Sequence, residues 1–310
     1  MGIRKYFVAG ALLLMLVLVS AQQGCDMPGM GGQGTQAKKY GLDYSLIGGV
    51  DYLSGGGILQ QGESFYIGVH LENYDSKSRN GEVCIMDNVA DTYGGISSQD
   101  KGECKFFNIP AADIVKKETS SLFGKKIEEQ VTPGTADVYF PSSGIYSYSG
   151  LPVSQQPWSQ KFYVSVNYRQ SSQATGTVSV PMPGYESITL TQEPAPVVMS
   201  ATKSIHRLQD SYKVDLEIAL KKQSSARIFS ADFTQENETY FAAHLAPQPL
   251  QCYLTSGEPI TGKLSLQNER LIKCSSIVYL SGEAQQAYPL VIALDYGVSV
   301  EKQYPFGIKT

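Results

Sequence analysis

The chain has 310 residues, a formal net charge of −4, only 17% charged residues and 20 tyrosines. This composition is too aromatic and too weakly charged for intrinsic disorder. The mildly acidic balance provides no general attraction to nucleic acid or anionic lipid.

The first element reads as an export signal. Arg4 and Lys5 precede an apolar run from Phe7 to Val19, and Ser20-Ala21-Gln22-Gln23-Gly24 leads into Cys25. That is the charged, apolar and cleavage order of a secretory signal. The run is shorter than the roughly 20 residues a spanning helix needs, and no later segment approaches that length. Removing residues 1–24 takes away two positive charges and no negative ones, moving the net charge from −4 to −6. About 285 residues remain, enough for two domains at ~150 residues each. The glycine-rich stretch after Cys25 makes residues 25–39 a flexible tether. Its Gly29-x-Gly31-x-x-Gly34 matches the dinucleotide fingerprint only formally, because it neither follows a strand nor opens a helix.

From Tyr40 the hydrophobic period is two. Phe65, Ile67, Val69 and Leu71 alternate with polar neighbours, as in a half-buried strand. Asn80-Gly81 offers both residues of a type I′ hairpin turn, with Val83 and Ile85 resuming the alternation beyond it. Ala111 to Phe123 is the best helix candidate, with Asp113 early and Lys116 and Lys117 later. Phe162, Val164, Val166 and Tyr168 alternate again, followed by Val178/Val180 and Ile188/Leu190. Thr191-Gln192-Glu193-Pro194-Ala195-Pro196 breaks the pattern, since two prolines remove ladder donors and fix φ. A second series opens at Val197. It continues through Tyr212, Val214, Leu216, Ile218 and Leu220, then Leu264/Leu266, Ile277/Tyr279 and Leu290/Ile292/Leu294. Short alternating strands at such spacing predict an all-β chain of two antiparallel β-sandwiches. The expected layout is a signal at 1–24, a tether at 25–39, sandwiches at 40–193 and 197–310, and an insertion within 105–157 of the first.

Five cysteines fall as two local pairs and one outlier. In an oxidising exterior, Cys84 and Cys104 would bridge, as would Cys252 and Cys274. Each bridge closes a loop of about 20 residues, worth roughly 3 kcal/mol by chain entropy. The leftover Cys25 is placed for lipid attachment at a new N-terminus, with cleavage after Ala21 as the alternative. The halves also echo one another. Val164-Ser165-Val166-Asn167-Tyr168 is similar to Ile292-Ala293-Leu294-Asp295-Tyr296, each downstream of a cysteine pair.

Gly24-Cys25, with Gln22 where Leu or Val is usual, and Gly62-Glu63-Ser64-Phe65 running into Asn73 carry a resemblance. The chain resembles prokaryotic, possibly archaeal, envelope lipoproteins built from tandem immunoglobulin-like, adhesion-type modules. The resemblance implies anchoring to the outer face of the cell membrane through an N-terminal lipid, with secretion as the alternative. It also implies a protein or glycan partner.

Catalytic signals are sparse. His70 lies on the polar phase of a strand, and His206 and His244 sit near turns without a metal-ligand spacing. No Gly-x-Ser-x-Gly, His-Glu-x-x-His or Cys-x-x-Cys occurs, and no cofactor is expected. Asp87, Asn88, Asp91 and Asp100 crowd the loop closed by Cys84 and Cys104, and oxygen-rich loops can hold calcium. They suit a hydrated polar turn equally. Tyr139, Phe140, Tyr146, Tyr148 and Trp158 bring rigid contact area with polar tips, as binding surfaces do. They suit the capped end of a sandwich as well. Of these, Tyr146, Tyr148 and Trp158 are expected to be partly exposed. Asn237-Glu238-Thr239 is a glycosylation sequon expected at the surface. The functional expectation is a non-enzymatic surface protein binding through loops of its N-terminal domain. The alternative is a self-assembling subunit of a filament or layer.

Overall fold

The alternation does set the structure, because a strand presents successive side chains to opposite faces. The computed structural model describes residues 41–47, 57–96, 102–121, 124–180, 184–223, 225–279 and 285–310. These residues are all-β, and the helical element among them is one 3-10 turn at Asp91–Tyr93. In the N-terminal half the strands are β1 (Leu42–Ile47), β2 (Ile58–Gln60), β3 (Ile67–Asn73), β4 (Arg79–Asp87), β5 (Glu103–Ile109), β6 (Asp113–Ser121), β7 (Gly124–Thr132), β8 (Gly134–Phe140), β9 (Trp158–Val180), β10 (Gly184–Ile188) and β11 (Thr191–Gln192). In the C-terminal half they are β12 (Val197–Arg207), β13 (Tyr212–Lys222), β14 (Arg227–Phe229), β15 (Glu238–Leu245), β16 (Gln248–Pro249), β17 (Gln251–Leu254), β18 (Lys263–Ser265), β19 (Glu269–Val278) and β20 (Gln286–Lys309).

One strand order appears twice. Sheet β1-β3-β8 of the first half matches β12-β13-β19 of the second. Facing them, β9-β4-β5 matches β20-β15 with its partners β16 and β18. All of these pairings are antiparallel. Apolar residues of both layers, such as Ile67, Val69, Val83, Ile85 and Val164, are fully buried between them.

The halves on either side of the expected boundary at 193–197 share strands. Residues 39–310 form one compact unit. The longest ladder crosses the boundary, running from Trp158↔Ile308 to Val180↔Gln286 between β9 and β20. Each long strand serves both modules. The first part of β9 pairs with β4 in the N-terminal module. Its second part buries Ala174, Val178 and Val180, and its Ser179 carbonyl accepts from Lys203 of β12. Conversely, β20 begins beside β15 and ends in the N-terminal module. There Phe306 meets Tyr148 and Phe162, and Tyr304 stacks on Phe162. Shifting Val164–Tyr168 by 128 positions gives Ile292–Tyr296, and the same shift carries Arg169 onto its own partner Gly297. The echoed segments are therefore related by a local two-fold through that pair. Both tyrosines are buried, and the Tyr296 hydroxyl lies 3.0 Å from Ser172 Oγ. The disulfides break the symmetry: one joins β4 to β5, the other β17 to β19.

Two local expectations are corrected. Asn80-Gly81 is not a turn but the interior of β4, with Gly81 opposite Phe107 on one side and Tyr168 on the other. Glycine is needed there for close approach: a Cβ would stand 2.1 Å from the Asn167 carbonyl and 2.8 Å from the Phe107 ring. The helix expected over Ala111–Phe123 is a β-hairpin, β6 against β7. Lys116 stands opposite Glu129 at 3.8 Å, and Lys117 Nζ donates to Gln130 Oε1. Cross-strand charge pairs of this kind support a hairpin as well as i,i+4 pairs support a helix.

Candidate functional site

The disulfides follow directly from register. Cys84 stands opposite Cys104, and Cys252 opposite Cys274, each with α-carbons 4.0 Å apart. Both pairings are as the sequence predicts, and they fit an oxidising, extracytoplasmic compartment. Cys25 lies outside the described residues.

The aromatic cluster is divided by the fold. Tyr146 and Tyr148, expected at the surface, are 8% and 1% exposed, and Phe140 is 1% exposed. The segment after Phe140 returns across the module, where Tyr146 bridges Phe65 and Tyr148 bridges Gly94. The Phe65 ring lies 5.5 Å from Tyr146 and 5.4 Å from Tyr148. Each hydroxyl is anchored, Tyr146 donating to Glu103 Oε2 and Tyr148 to Asp87 Oδ2, both at 2.5 Å. These two rings are core. A period-two pattern is blind to this, because alternate tyrosines at a sandwich end and on a binding surface read alike. Tyr139 remains exposed, 6.4 Å from the exposed Tyr66. Trp158 is half-buried, with an indole N–H that has no hydrogen-bond partner.

Two of the four residues of the acidic loop, Asp87 and Asn88, accept hydrogen bonds within the protein. Burial pushes Asp87 up to about 6, even though Tyr148 and the Val89 N–H donate to it. Both of its oxygens are thus engaged. Asn88 Oδ1 accepts from the Lys161 N–H, and Asp91 sits exposed in the 3-10 turn. Asp100 lies outside the described residues. For Glu103, burial raises the carboxyl, but hydrogen bonds from Tyr146 and Ser142 outweigh it and hold it below the usual range.

His70 Nδ1 lies 2.6 Å from Asp137 Oδ1 across β3 and β8, both solvent-facing. Ser45 is opposite His70 in register but forms no hydrogen bond with it among the described residues, so this pair lacks an attached nucleophile. His206 contacts Ser204 and Asp215, and His244 is exposed on β15. Asn237 is half-buried with φ +60°, and its sequon partner Thr239 is 1% exposed, with its hydroxyl donating to the Asp295 carbonyl.

A feature that the sequence reading missed is a groove of about 880 Å³ on the outward face of the long sheet. One cross-strand row forms its length: Phe106, Glu82, Asn167, Ser299 and Arg227, contributed in order by β5, β4, β9, β20 and β14. Phe106 is 87% exposed at one end. At the other, Phe229 and Phe233 lie 5.9 Å apart, and the Phe233 ring covers Gly297, where a Cβ would stand 2.7 Å from it. The turn carrying Phe233 at φ +59° is tied by Ser230, Asp232 and Thr234, whose hydroxyls and carboxylate bond one another. Arg227 is fixed by two 2.8 Å bonds to Glu236 and lies over the Phe229 ring. The signal for this groove was present in the polar phase of β9 and β20, but only the pairing between halves assembles it.

No protein-family profile matches this chain, and a search of curated proteins finds no relative.

Proposed function

We propose that this chain is a non-enzymatic envelope protein, lipid-anchored through Cys25 on the outer face of the membrane, that binds a protein or glycan partner. The supporting observation is the pair of cross-strand disulfides in an all-β body that follows an export-type segment. Immunoglobulin-like modules of this kind present a rigid surface, and the glycine-rich tether gives it reach. With Tyr146 and Tyr148 buried, partner contact falls to groups that stay exposed, among them Tyr66 and Tyr139. Among the described residues no helix is long and apolar enough to cross a membrane; in this proposal membrane retention is through Cys25. The test is fractionation of cells expressing the wild type and Cys25→Ser, with mass spectrometry of the mature N-terminus. The wild type is expected in the membrane fraction with an acylated Cys25, and the variant in the soluble fraction. An N-terminus at Gln22, or a variant that stays with the membrane, would overturn the anchor. One acyl chain holds weakly, so firm retention requires a second chain or a further contact.

A further inference from the structure

We infer that the outward groove between Phe106 and Phe233 is a binding site for a neutral oligosaccharide. This rests on the reading of the chain as an extracytoplasmic binding protein, and names its ligand class and its site.

The argument begins with the floor. The side chains of Glu82, Asn167, Ser165 and Ser299 form no hydrogen bond within the protein among the described residues. They nonetheless sit in register on neighbouring strands, and the disulfide beside Ser165 fixes the edge strand that carries Phe106. Four inter-strand steps separate Phe106 from Arg227, so the row is about 19 Å long at ~4.8 Å per step. The polar groups are therefore spaced along a line rather than gathered at a point, as a linear polymer requires.

The chemistry of the row narrows the occupant. An acidic ligand would meet Glu82, which has no ion-pair partner among the described residues. A basic peptide needs opposite charges repeated along its length, but the row carries one carboxylate, Glu82, and ends in the guanidinium of Arg227. A purely apolar ligand would strip water from the floor groups without replacing their hydrogen bonds, which is unfavourable for each of them. A sugar fits all three constraints. Its hydroxyls are both donors and acceptors, matching a floor of amide, hydroxyl and carboxylate groups. Its C–H face stacks on an aromatic ring, and the groove offers rings at both ends. Phe106 in particular is 87% exposed on a strand whose neighbour Phe107 is buried, and no packing role within the fold accounts for it. The far wall is pre-organised by the Ser230–Asp232–Thr234 ties, which lowers the ordering cost of binding.

The experiment uses the purified mature protein, titrated calorimetrically with cellotetraose, chitotetraose and mannotetraose, and with heparin and a lysine decapeptide as charged competitors. Binding of at least one neutral tetramer is expected, weakened tenfold or more in Phe106→Ala and in Asn167→Ala. Val153→Ala, 92% exposed and outside the groove, is expected to bind as the wild type does. Phe106 is exposed, so circular dichroism should show that its variant is folded. The inference fails if no neutral tetramer binds, if the groove variants bind unchanged, or if heparin or the decapeptide binds in a Phe106-dependent way. None of these outcomes bears on the fate of Cys25, so this failure and failure of the anchor remain separable.

Discussion

Phe306 belongs to the last strand of the chain but is packed in the first module, which makes it a direct probe of how far the two modules depend on one another. It is 3% exposed, with ring centroids 5.8 Å from Tyr148 and 6.1 Å from Phe162. Phe306→Ala deletes a ring from this cluster and leaves a cavity, at a cost of about 3–5 kcal/mol. That is a fifth or more of the roughly 5–15 kcal/mol that holds a typical domain together. The single tryptophan, Trp158, pairs with Ile308 two positions away, so its fluorescence reports on this region, while far-ultraviolet circular dichroism reports on strands of both modules. In urea the two signals of the wild type are expected to coincide, because β9 and β20 run through both modules. In the variant both midpoints should fall together, by about 1–2 M at a slope of roughly 2–3 kcal/mol/M. Two resolved transitions, with only the tryptophan signal shifted, would refute the shared-strand reasoning. So would a cost below about 1 kcal/mol.

Two further perturbations test local features. Asp87 has its folded pKa raised to about 6 by burial, against an unfolded value near 4, so its contribution to stability is complete below pH ~4 and is lost as pH rises through about 6. Relative to Asp87→Asn, the wild type should lose on the order of 1–2 kcal/mol between pH 4 and 7, after allowance for screening. Parallel stability curves for the two proteins in chemical denaturation would contradict this. Gly81→Ala places a Cβ against the Asn167 carbonyl of the neighbouring strand, a backbone atom that cannot rotate away. It should destabilise by about 1–3 kcal/mol or more in thermal unfolding, and a neutral result would mean that β4 and β9 can separate locally without cost.

Much of the strand content was legible because burial on one face leaves a period of two. Val164, Val166 and Tyr168 are buried, while Ser165 and Asn167 between them face outward. The cysteine pairing was legible for a simpler reason, since each pair lies within one short loop. Pairing between strands distant in sequence was not. Nothing in Trp158–Val180 announces that it lies against Gln286–Lys309, because hydrogen bonds between backbones carry no side-chain signature. The Lys116/Lys117 and Glu128/Glu129 runs fit a helix and a hairpin equally well as charge patterns. Asn80-Gly81 misled because glycine serves close approach as well as positive φ, and here Phe107 needed the space. The buried fate of Tyr146 and Tyr148 was hidden for a related reason, since Phe65 and Phe306, which cover them, are supplied from more than 80 residues away on one side and more than 150 on the other.

A chain synthesised from its N-terminus meets a timing problem. The first module emerges early with Tyr148 and Phe162 uncovered, and the strand that completes it, Ser299–Lys309, follows more than 150 positions after Tyr148. Until then an apolar seam stands open, and the ladder that closes it joins residues more than a hundred positions apart. Contacts of such separation form slowly. The two disulfides each close within a short local loop and need not wait. They can therefore join the half-made layers before the final strand arrives. The interval in which a neighbouring chain's β20 could fill the same seam is set by how long that arrival takes.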